Sequence, residues 1–479
     1  MQKLIKKFEQ LPVQLKATIW FTICSFMQKG ISMFTTPIFT RLLSTSEYGQ
    51  YSVFNSWLGI VTILISMNMY AGVYTQGLVK YENDRPSFSS ALQGLTLILV
   101  VIWALVYFLF HNFWNSLLSL TTIQMMAMIV MIWTSAVFNF WASAQRVVYK
   151  YKMLVIITLL VSIAKPFLGI IFVVLANDRV TARILSIVLV EMIAYTWMYL
   201  SQMRQGKVFY SNRYWKYALV FNIPLIPHYL SQTVLNSADR IMISKLLTED
   251  KAGIYSLAYS VAMIMVLFNS ALSQSMSPWI YTKIKQKRHA DIAPIAYLSL
   301  VLIACMNLML IALAPEIIAI FAPPNYYDAI WIISPVAMSA FFMFSYDLFA
   351  KFQFYYEKTK LIALASIIGA LLNIVLNYIF IPIFDYYAAG YTTLVCYILY
   401  VVFHYCVMRH TCKNYLGGVY PYKTQIVIGI SAVVIAGGFG MLLLYNTAWP
   451  RYTIVAGLIV VLFFNRNKLI GILSLKNKT

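Results

Sequence analysis

The sequence predicts an all-α polytopic membrane protein of about fourteen transmembrane helices, arranged as two six-helix lobes plus an extra helix pair. Three observations predict it. Hydrophobic residues fill 61% of the 479 positions and charged residues only 11%. A soluble domain is nearer half apolar and about a quarter charged, so a water-soluble chain of this length could not hide so much apolar surface. Apolar runs of roughly 20 residues, each long enough for the hydrocarbon core, recur from end to end. Finally, basic residues cluster in every second connection.

The expected spans, in order, are Lys16–Phe39, Tyr51–Val73, Phe88–Phe110, Leu118–Trp141, Leu154–Leu175 and Ile184–Leu200 in the first lobe (residues 1–210). Tyr217–Ile243, Gly253–Trp279, Ile292–Ala314, Ala329–Phe352, Leu361–Phe384 and Ala388–Met408 make the second lobe (residues 211–415). Ile426–Tyr445 and Trp449–Phe464 are the additional pair (residues 416–479). The first run follows the basic Met1–Lys7 segment but is too long for a signal-peptide core and lacks a small-residue cleavage site, so it is expected to stay as the first helix. The cysteines, Cys24, Cys305, Cys396, Cys406 and Cys412, have the spacing of neither a metal site nor a disulfide framework.

Of the 36 Lys and Arg residues, 27 fall at the N-terminus, in alternate connections or in the tail, against 6 in the other connections. The positive-inside rule then places both termini in the cytoplasm. The same placement accounts for the formal net charge of +21 without nucleic acid, because these residues face cytosol and anionic headgroups. The remaining three basic residues, Lys29, Lys165 and Arg240, fall well inside spans.

The segment Arg41-Leu-Leu-Ser-Thr-Ser-Glu-Tyr-Gly-Gln-Tyr-Ser52 recurs without a gap as Lys245-Leu-Leu-Thr-Glu-Asp-Lys-Ala-Gly-Ile-Tyr-Ser256, 204 residues on. Arg41, Gly49 and Tyr51 thus correspond to Lys245, Gly253 and Tyr255. Each copy joins the first and second spans of a lobe. Lobes with an even number of spans share one orientation, so these are parallel repeats, a plan found in secondary transporters.

Charged groups within a membrane are costly facing lipid and normally meet a cavity or a partner. Lys29 shares a stripe with Ser32, Thr36 and Thr40; it reads as a cavity-lining cation or as a lysine paired inside the bundle. His228, Gln232, Asn236 and Arg240 recur every four residues along the seventh span, one polar stripe. That stripe lines a substrate path or hydrogen-bonds neighbouring helices. Asp239 stands beside Arg240 and could hold it in position through shared neighbours. Pro224 and Pro227 are expected to break or kink this helix. Lys165, before Pro166 in mid-span, is a further candidate for a substrate-binding cation in the cavity. Asp347 and Lys351, four apart, can pair within one helix or meet substrate. Glu191 stands alone in the sixth span as a carboxylate suited to proton coupling. Asn373 and Asn377 read as interhelical hydrogen-bonding residues.

On the motif Arg41–Ser52, the Asp239-Arg240 pair and the turn Tyr386-Tyr-Ala-Ala-Gly390, the chain resembles the polysaccharide flippase branch of the multidrug/oligosaccharidyl-lipid/polysaccharide exporter superfamily, the Wzx-type translocases. The resemblance implies transport of undecaprenyl-diphosphate-linked oligosaccharide repeat units, for O-antigen or capsular polysaccharide, from the cytoplasmic to the outer leaflet by alternating access. It implies membrane lipid, a polysaccharide polymerase and a chain-length regulator as partners, and no cofactor beyond proton or sodium coupling. Arginine and lysine would meet the diphosphate; hydroxyl, amide and aromatic groups would meet sugars, and the chain has 35 Tyr and 11 Trp. A lipid II-type flippase is an alternative, expected to carry more intramembrane arginine than Arg240. An ion-coupled drug or cation antiporter is another, but the first span has no Asp or Glu and carries Lys29. An enzyme is not expected: connections are short, on the order of a dozen residues, with no paired-carboxylate, nucleophile-triad or metal-ligand motif and no Walker A loop.

Overall fold

The computed structural model describes residues 12–466. Lys3, Lys6, Lys7, Lys468, Lys476 and Lys478, which enter the topology argument, lie outside the described residues. The described chain is helical, without strands. The first half comprises α1 (Val13–Leu42), α2 (Thr45–Ser66), α3 (Gly72–Lys80), α4 (Arg85–Leu109), α5 (His111–Leu118), α6 (Thr122–Val147), α7 (Tyr151–Leu175), α8 (Arg179–Gly206), α9 (Asn212–Asn222) and α10 (Ile226–Leu246). The second comprises α11 (Glu249–Ala262), α12 (Ile264–Lys285), α13 (Ile292–Ala312), α14 (Ala314–Phe321), α15 (Ile330–Tyr355), α16 (Thr359–Phe384), α17 (Tyr387–Tyr415), α18 (Thr424–Leu443) and α19 (Ala448–Phe464).

Every expected span falls on one of these helices or on a broken pair of them. Ten described helical segments are long and apolar enough to cross a bilayer by length and composition alone. α1, α2 and α10 are not among them, because polar residues interrupt their apolar faces, and α19 is shorter. The protein is a polytopic all-α membrane protein.

Three expected single spans are broken, the eighth only at Met263, between α11 and α12. The second gives way after Ser66, where Met67 and Asn68 adopt positive φ, and α3 resumes at Gly72. Asn222, fully buried, donates through Nδ2 to the Met67 carbonyl, satisfying an oxygen the break releases. The seventh is interrupted at Pro224 by the 3-10 turn Ile223–Leu225. Proline lacks the amide that would continue the ladder, so α9 and α10 are separate helices.

The chain divides into two compact units, the first ending at Thr233 and the second beginning at Val234. The division lies inside α10 rather than in the connection at residues 210–211. The reason is local: α9 packs on α3 and α4 of the first unit, where the Tyr214 hydroxyl bonds Asp84 and the Trp215 indole donates to the Ala91 carbonyl at 2.8 Å. In the first unit α7 packs between α1 and α8, and α6 lies along α8. In the second, α15 is the central helix, with α17, α13, α12 and α11 around it. α18 and α19 pack on α13, and α18 also on α15. Gly437 and Gly438 permit this approach: an added Cβ would press on Leu308 and Met338. Arg451 of α19, almost fully buried, clamps the pair with two guanidinium bonds to Glu316, at 2.7 and 2.8 Å, and one to the Ala312 carbonyl at 2.6 Å.

Candidate functional site

In the first unit Lys165 and Glu191 come together. Lys165 Nζ lies 2.6 Å from Glu191 Oε1, and the Thr134 hydroxyl donates to Oε2 at 2.6 Å. Glu191 is therefore not alone: α7 supplies its cation and α6 a neutral donor. Its side chain is 4% exposed and that of Lys165 28%. Pro166 and Gly169 explain the local geometry. Arg183 of α8 donates to the Lys165 carbonyl at 2.9 Å, and a Cβ on Gly169 would collide with its guanidinium. Arg183 also stacks on Phe39, 3.8 Å from the ring centroid, and faces Tyr51 at 5.6 Å. Placed in a connection by its position in the sequence, Arg183 is in fact buried.

Lys29 is exposed on α1 and makes no hydrogen bond or ion pair among the described residues. The hydroxyls of its stripe turn back onto their own helix: Thr36 donates to the Ser32 carbonyl at 3.0 Å and Thr40 to that of Pro37 at 3.1 Å. Arg41 likewise bonds the Pro37 carbonyl, at 2.9 Å.

His228, Gln232, Asn236 and Arg240 lie half-buried along α10, in the predicted stripe, with the unit division passing between Gln232 and Asn236. Arg240 donates to the Asn236 carbonyl at 3.0 Å and covers the ring of Tyr259 at 4.2 Å. The remainder of its guanidinium has no hydrogen-bond partner among the described residues. The Asn236 side-chain oxygen receives the hydroxyls of Tyr259 and Tyr397 at 3.3 and 3.4 Å.

Asp239 does not hold Arg240. It turns the other way, into the second unit, and is 1% exposed. Tyr255 donates to its Oδ2 at 2.6 Å, Thr393 to the same oxygen at 3.0 Å, and Asn377 to Oδ1 at 2.6 Å. Asn373 and Asn377 join this network; Asn377 donates to Asn373 Oδ1 at 3.3 Å and receives the Thr392 hydroxyl. The motif tyrosine Tyr255 thus binds α11 to α10, while α16 and α17 supply the other donors. No cation forms an ion pair with Asp239 among the described residues. A buried carboxylate normally requires one, or a proton or metal ion. No group of three His, Cys, Asp or Glu side chains that could hold a metal exists among the described residues.

Asp347 and Lys351 pair within α15 at 2.6 Å. Ser273 of α12 completes the group, donating to Asp347 Oδ2 at 2.6 Å and accepting from Lys351 at 2.8 Å. Tyr346, beside Asp347, stacks on His404 at 5.3 Å and lies parallel to Tyr397 at 6.3 Å. The second unit therefore gathers Asn236, Arg240, Tyr259, Tyr397, Tyr346 and Asp347 along one connected seam. Sequence reasoning missed Tyr259, Tyr397 and Ser273. A buried tyrosine carries no mark that separates it from an interfacial anchor.

The family model described as polysaccharide biosynthesis protein matches residues 14–283. The chain belongs to that family. The MatE model matches residues 224–379, which sets this polysaccharide biosynthesis family member within the multidrug/oligosaccharidyl-lipid/polysaccharide exporter superfamily of transporters. A Haemophilus influenzae protein named for the Lsg locus is 22% identical over 387 residues, 75% of this chain and 89% of the relative. Among solved structures, the lipid II flippase MurJ in an inward closed conformation aligns with 94% of this chain and 100% of its own, at 13% identity and TM-score 0.67. An inward-facing multidrug resistance MATE transporter aligns with 84% of this chain and 100% of its own, at 13% identity and TM-score 0.60. At such identity the likeness is one of fold.

Proposed function

We propose that this transporter flips polyprenyl-diphosphate-linked oligosaccharide repeat units, for O-antigen or capsular polysaccharide, to the outer leaflet of a bacterial inner membrane. Both termini are in the cytoplasm, and the mode is alternating access. The observation that carries the reading is the polysaccharide biosynthesis family match over residues 14–283. The side chains support it. The diphosphate is the part of the substrate that hydrocarbon rejects, and Arg240 offers a half-buried guanidinium with unused donors, the better bidentate partner for phosphate oxygens. In the first unit Lys29 is an exposed cation with no hydrogen bond or ion pair among the described residues. The lipid tail needs no pocket, because it can trail in the bilayer.

Coupling falls to Asp239. Its buried carboxylate, held by neutral donors alone, is suited to take a proton or a sodium ion. Glu191 is less suited, because Lys165 already neutralises it. An antiporter of cationic drugs fits less well: α1 has no carboxylate, and the unused charges are positive. A polymerase and a chain-length regulator would act on the flipped product.

The test is a strain lacking the gene. Surface polymer should be lost, with diphosphate-linked repeat units stranded on the cytoplasmic leaflet. Normal polymer would refute flipping; units that reach the outer leaflet unpolymerised would assign the protein to polymerisation.

A further inference from the structure

We infer that the second unit contains a sugar-binding subsite, separate from the phosphate-binding cations, in the cavity between α12 and α15. This rests on the flippase reading and assigns a substrate part to residues that reading leaves unused. The cavity holds about 300 Å³ and is lined by Asn269, Ser270, Ser273, Gln274, Tyr346 and Asp347, among others. That volume lies at the lower end of small-ligand pockets, suited to a sugar ring rather than a whole oligosaccharide. The lining repeats at helical spacing: Asn269 with Ser273, Ser270 with Gln274, and Met343 with Asp347 are each four apart, so each helix presents a single face.

The chemistry selects a neutral polyol. Asp347 faces the cavity with its side chain 33% exposed. Its Oδ2 takes Ser273 and Lys351, and Oδ1 has no protein partner among the described residues. A carboxylate there repels phosphate. Lys351, the cation beside it, is 2% exposed and spent on Asp347 and Ser273, so it neither reaches an anion nor leaves Asp347 free to attract a cationic drug. What remains is an acceptor for hydroxyl hydrogens, flanked by carboxamides, hydroxyls and an aromatic ring. Asn269 supplies an independent sign. It is 7% exposed; its amide nitrogen donates to the Ala340 carbonyl at 2.7 Å, and its side-chain oxygen is buried without a partner among the described residues. An orphaned buried acceptor is costly, and a small shift of the Asn269 side chain would bring this oxygen to the cavity it lines. The lining residues, 266–274 of α12 and 343–347 of α15, lie well short of the helix ends that run into Lys283, Lys285 and Lys358.

The experiment measures binding to the full-length protein in nanodiscs, with two probes: the lipid-linked repeat unit extracted from the native strain, and polyprenyl diphosphate without sugar. Wild type should bind the glycan-bearing probe more tightly. Asp347→Asn should weaken that probe about tenfold, the scale of one charged hydrogen bond, and leave the sugar-free probe unchanged. Gln274→Ala, an exposed change that does not disturb the ion pair, should weaken it about threefold. Arg240→Ala should weaken both probes alike. Equal loss for both probes in Asp347→Asn and Gln274→Ala, or no loss for either, overturns the subsite and leaves the flippase reading standing. A wild type that binds neither probe overturns both.

Discussion

The two units bury carboxylates in opposite ways. In the first, Glu191 has a lysine at 2.6 Å and one hydroxyl donor. In the second, Asp239 has a tyrosine, a threonine and an asparagine and no cation. A buried ion pair is electrically complete, and its geometry has nothing to gain from an added ion. A carboxylate held by neutral dipoles keeps its net charge and is complete only when a proton or cation joins it. On the proposed reading the difference separates a structural charge from a coupling one, although both lie inside spans and are equally conspicuous in the sequence.

The largest expected effect follows from removing Asp239. Asp239→Ala strands three donors, each worth about 1–3 kcal/mol when buried and unmade, so we expect severe loss of stability and of surface polymer. Asp239→Asn keeps the shape and removes the charge. In detergent, wild type should melt at a higher temperature in sodium than in a bulky organic cation, or change with pH if a proton is the coupling ion. Asp239→Asn should show neither response. A variant that responds like wild type would end the assignment of coupling to this residue.

Next is the ion pair of the first unit. Lys165→Met leaves Glu191 buried beside Thr134 alone, a loss of about 3 kcal/mol. The double variant Lys165→Met/Glu191→Met removes both charges and should recover most of that loss, with flipping retained. A double variant that folds but fails to flip would give the first unit a coupling role as well and erase the contrast.

A third arrangement lies at the clamp between α14 and α19. Glu316 sits outside the long spans. Burial works to raise its carboxyl, but the bidentate Arg451 guanidinium and the Tyr452 hydroxyl outweigh it and hold the carboxyl below the usual range. Its folded value being lower than its unfolded one, the stabilisation is present above the unfolded value of about 4.3 and is lost as pH falls through the folded one. With the carboxyl part-exposed, the effect is on the order of 1 kcal/mol after screening. Glu316→Gln should therefore flatten the acid limb of the melting profile and lower stability slightly at neutral pH. An unchanged acid limb would show that α18 and α19 are held by packing alone.

How much of this was legible follows from where the partners sit in the chain. The spans were legible because a 20-residue apolar run is a local property, and the break at Pro224 because proline acts on its own helix. The stripe from His228 to Arg240 was legible for the same reason. Partnerships were not. Glu191 reads as solitary because Lys165 lies on another helix, and Asp239 reads as attached to Arg240 because its true donors, Asn377 and Thr393, come from α16 and α17. Helical neighbours in sequence point to different sides of the helix, so Asp239 and Arg240 diverge although their backbones are joined. Tyr255 was visible as a repeat residue, but only the fold shows that its hydroxyl meets a carboxylate while its counterpart, Tyr51, faces the Arg183 guanidinium.

The repeat itself provides the smallest and sharpest comparison. In the first copy Ser44 and Glu47 form a reciprocal capping box, with Glu47 N to Ser44 Oγ at 3.2 Å and Ser44 N to Glu47 Oε2 at 2.7 Å. In the second, Thr248 caps Lys251 N at 3.4 Å, but lysine cannot return the bond. Its Nζ instead reaches Asp385, beyond the end of α16, at 2.6 Å. The second copy thus keeps half of the cap and turns its seventh residue to a close ion pair with Asp385, whereas Glu47 of the first completes the box and lies 3.9 Å from Arg179. Ser44→Ala should cost about 1 kcal/mol and Thr248→Ala about half that, given its longer single bond. Lys251→Gln restores a side chain able to complete the box while removing a half-exposed ion pair worth up to about 1 kcal/mol, so the two changes should nearly cancel in the melting temperature. A net loss well beyond that of Thr248→Ala would mean that the second copy relies on Asp385, and that the two repeats keep one turn for different physical reasons.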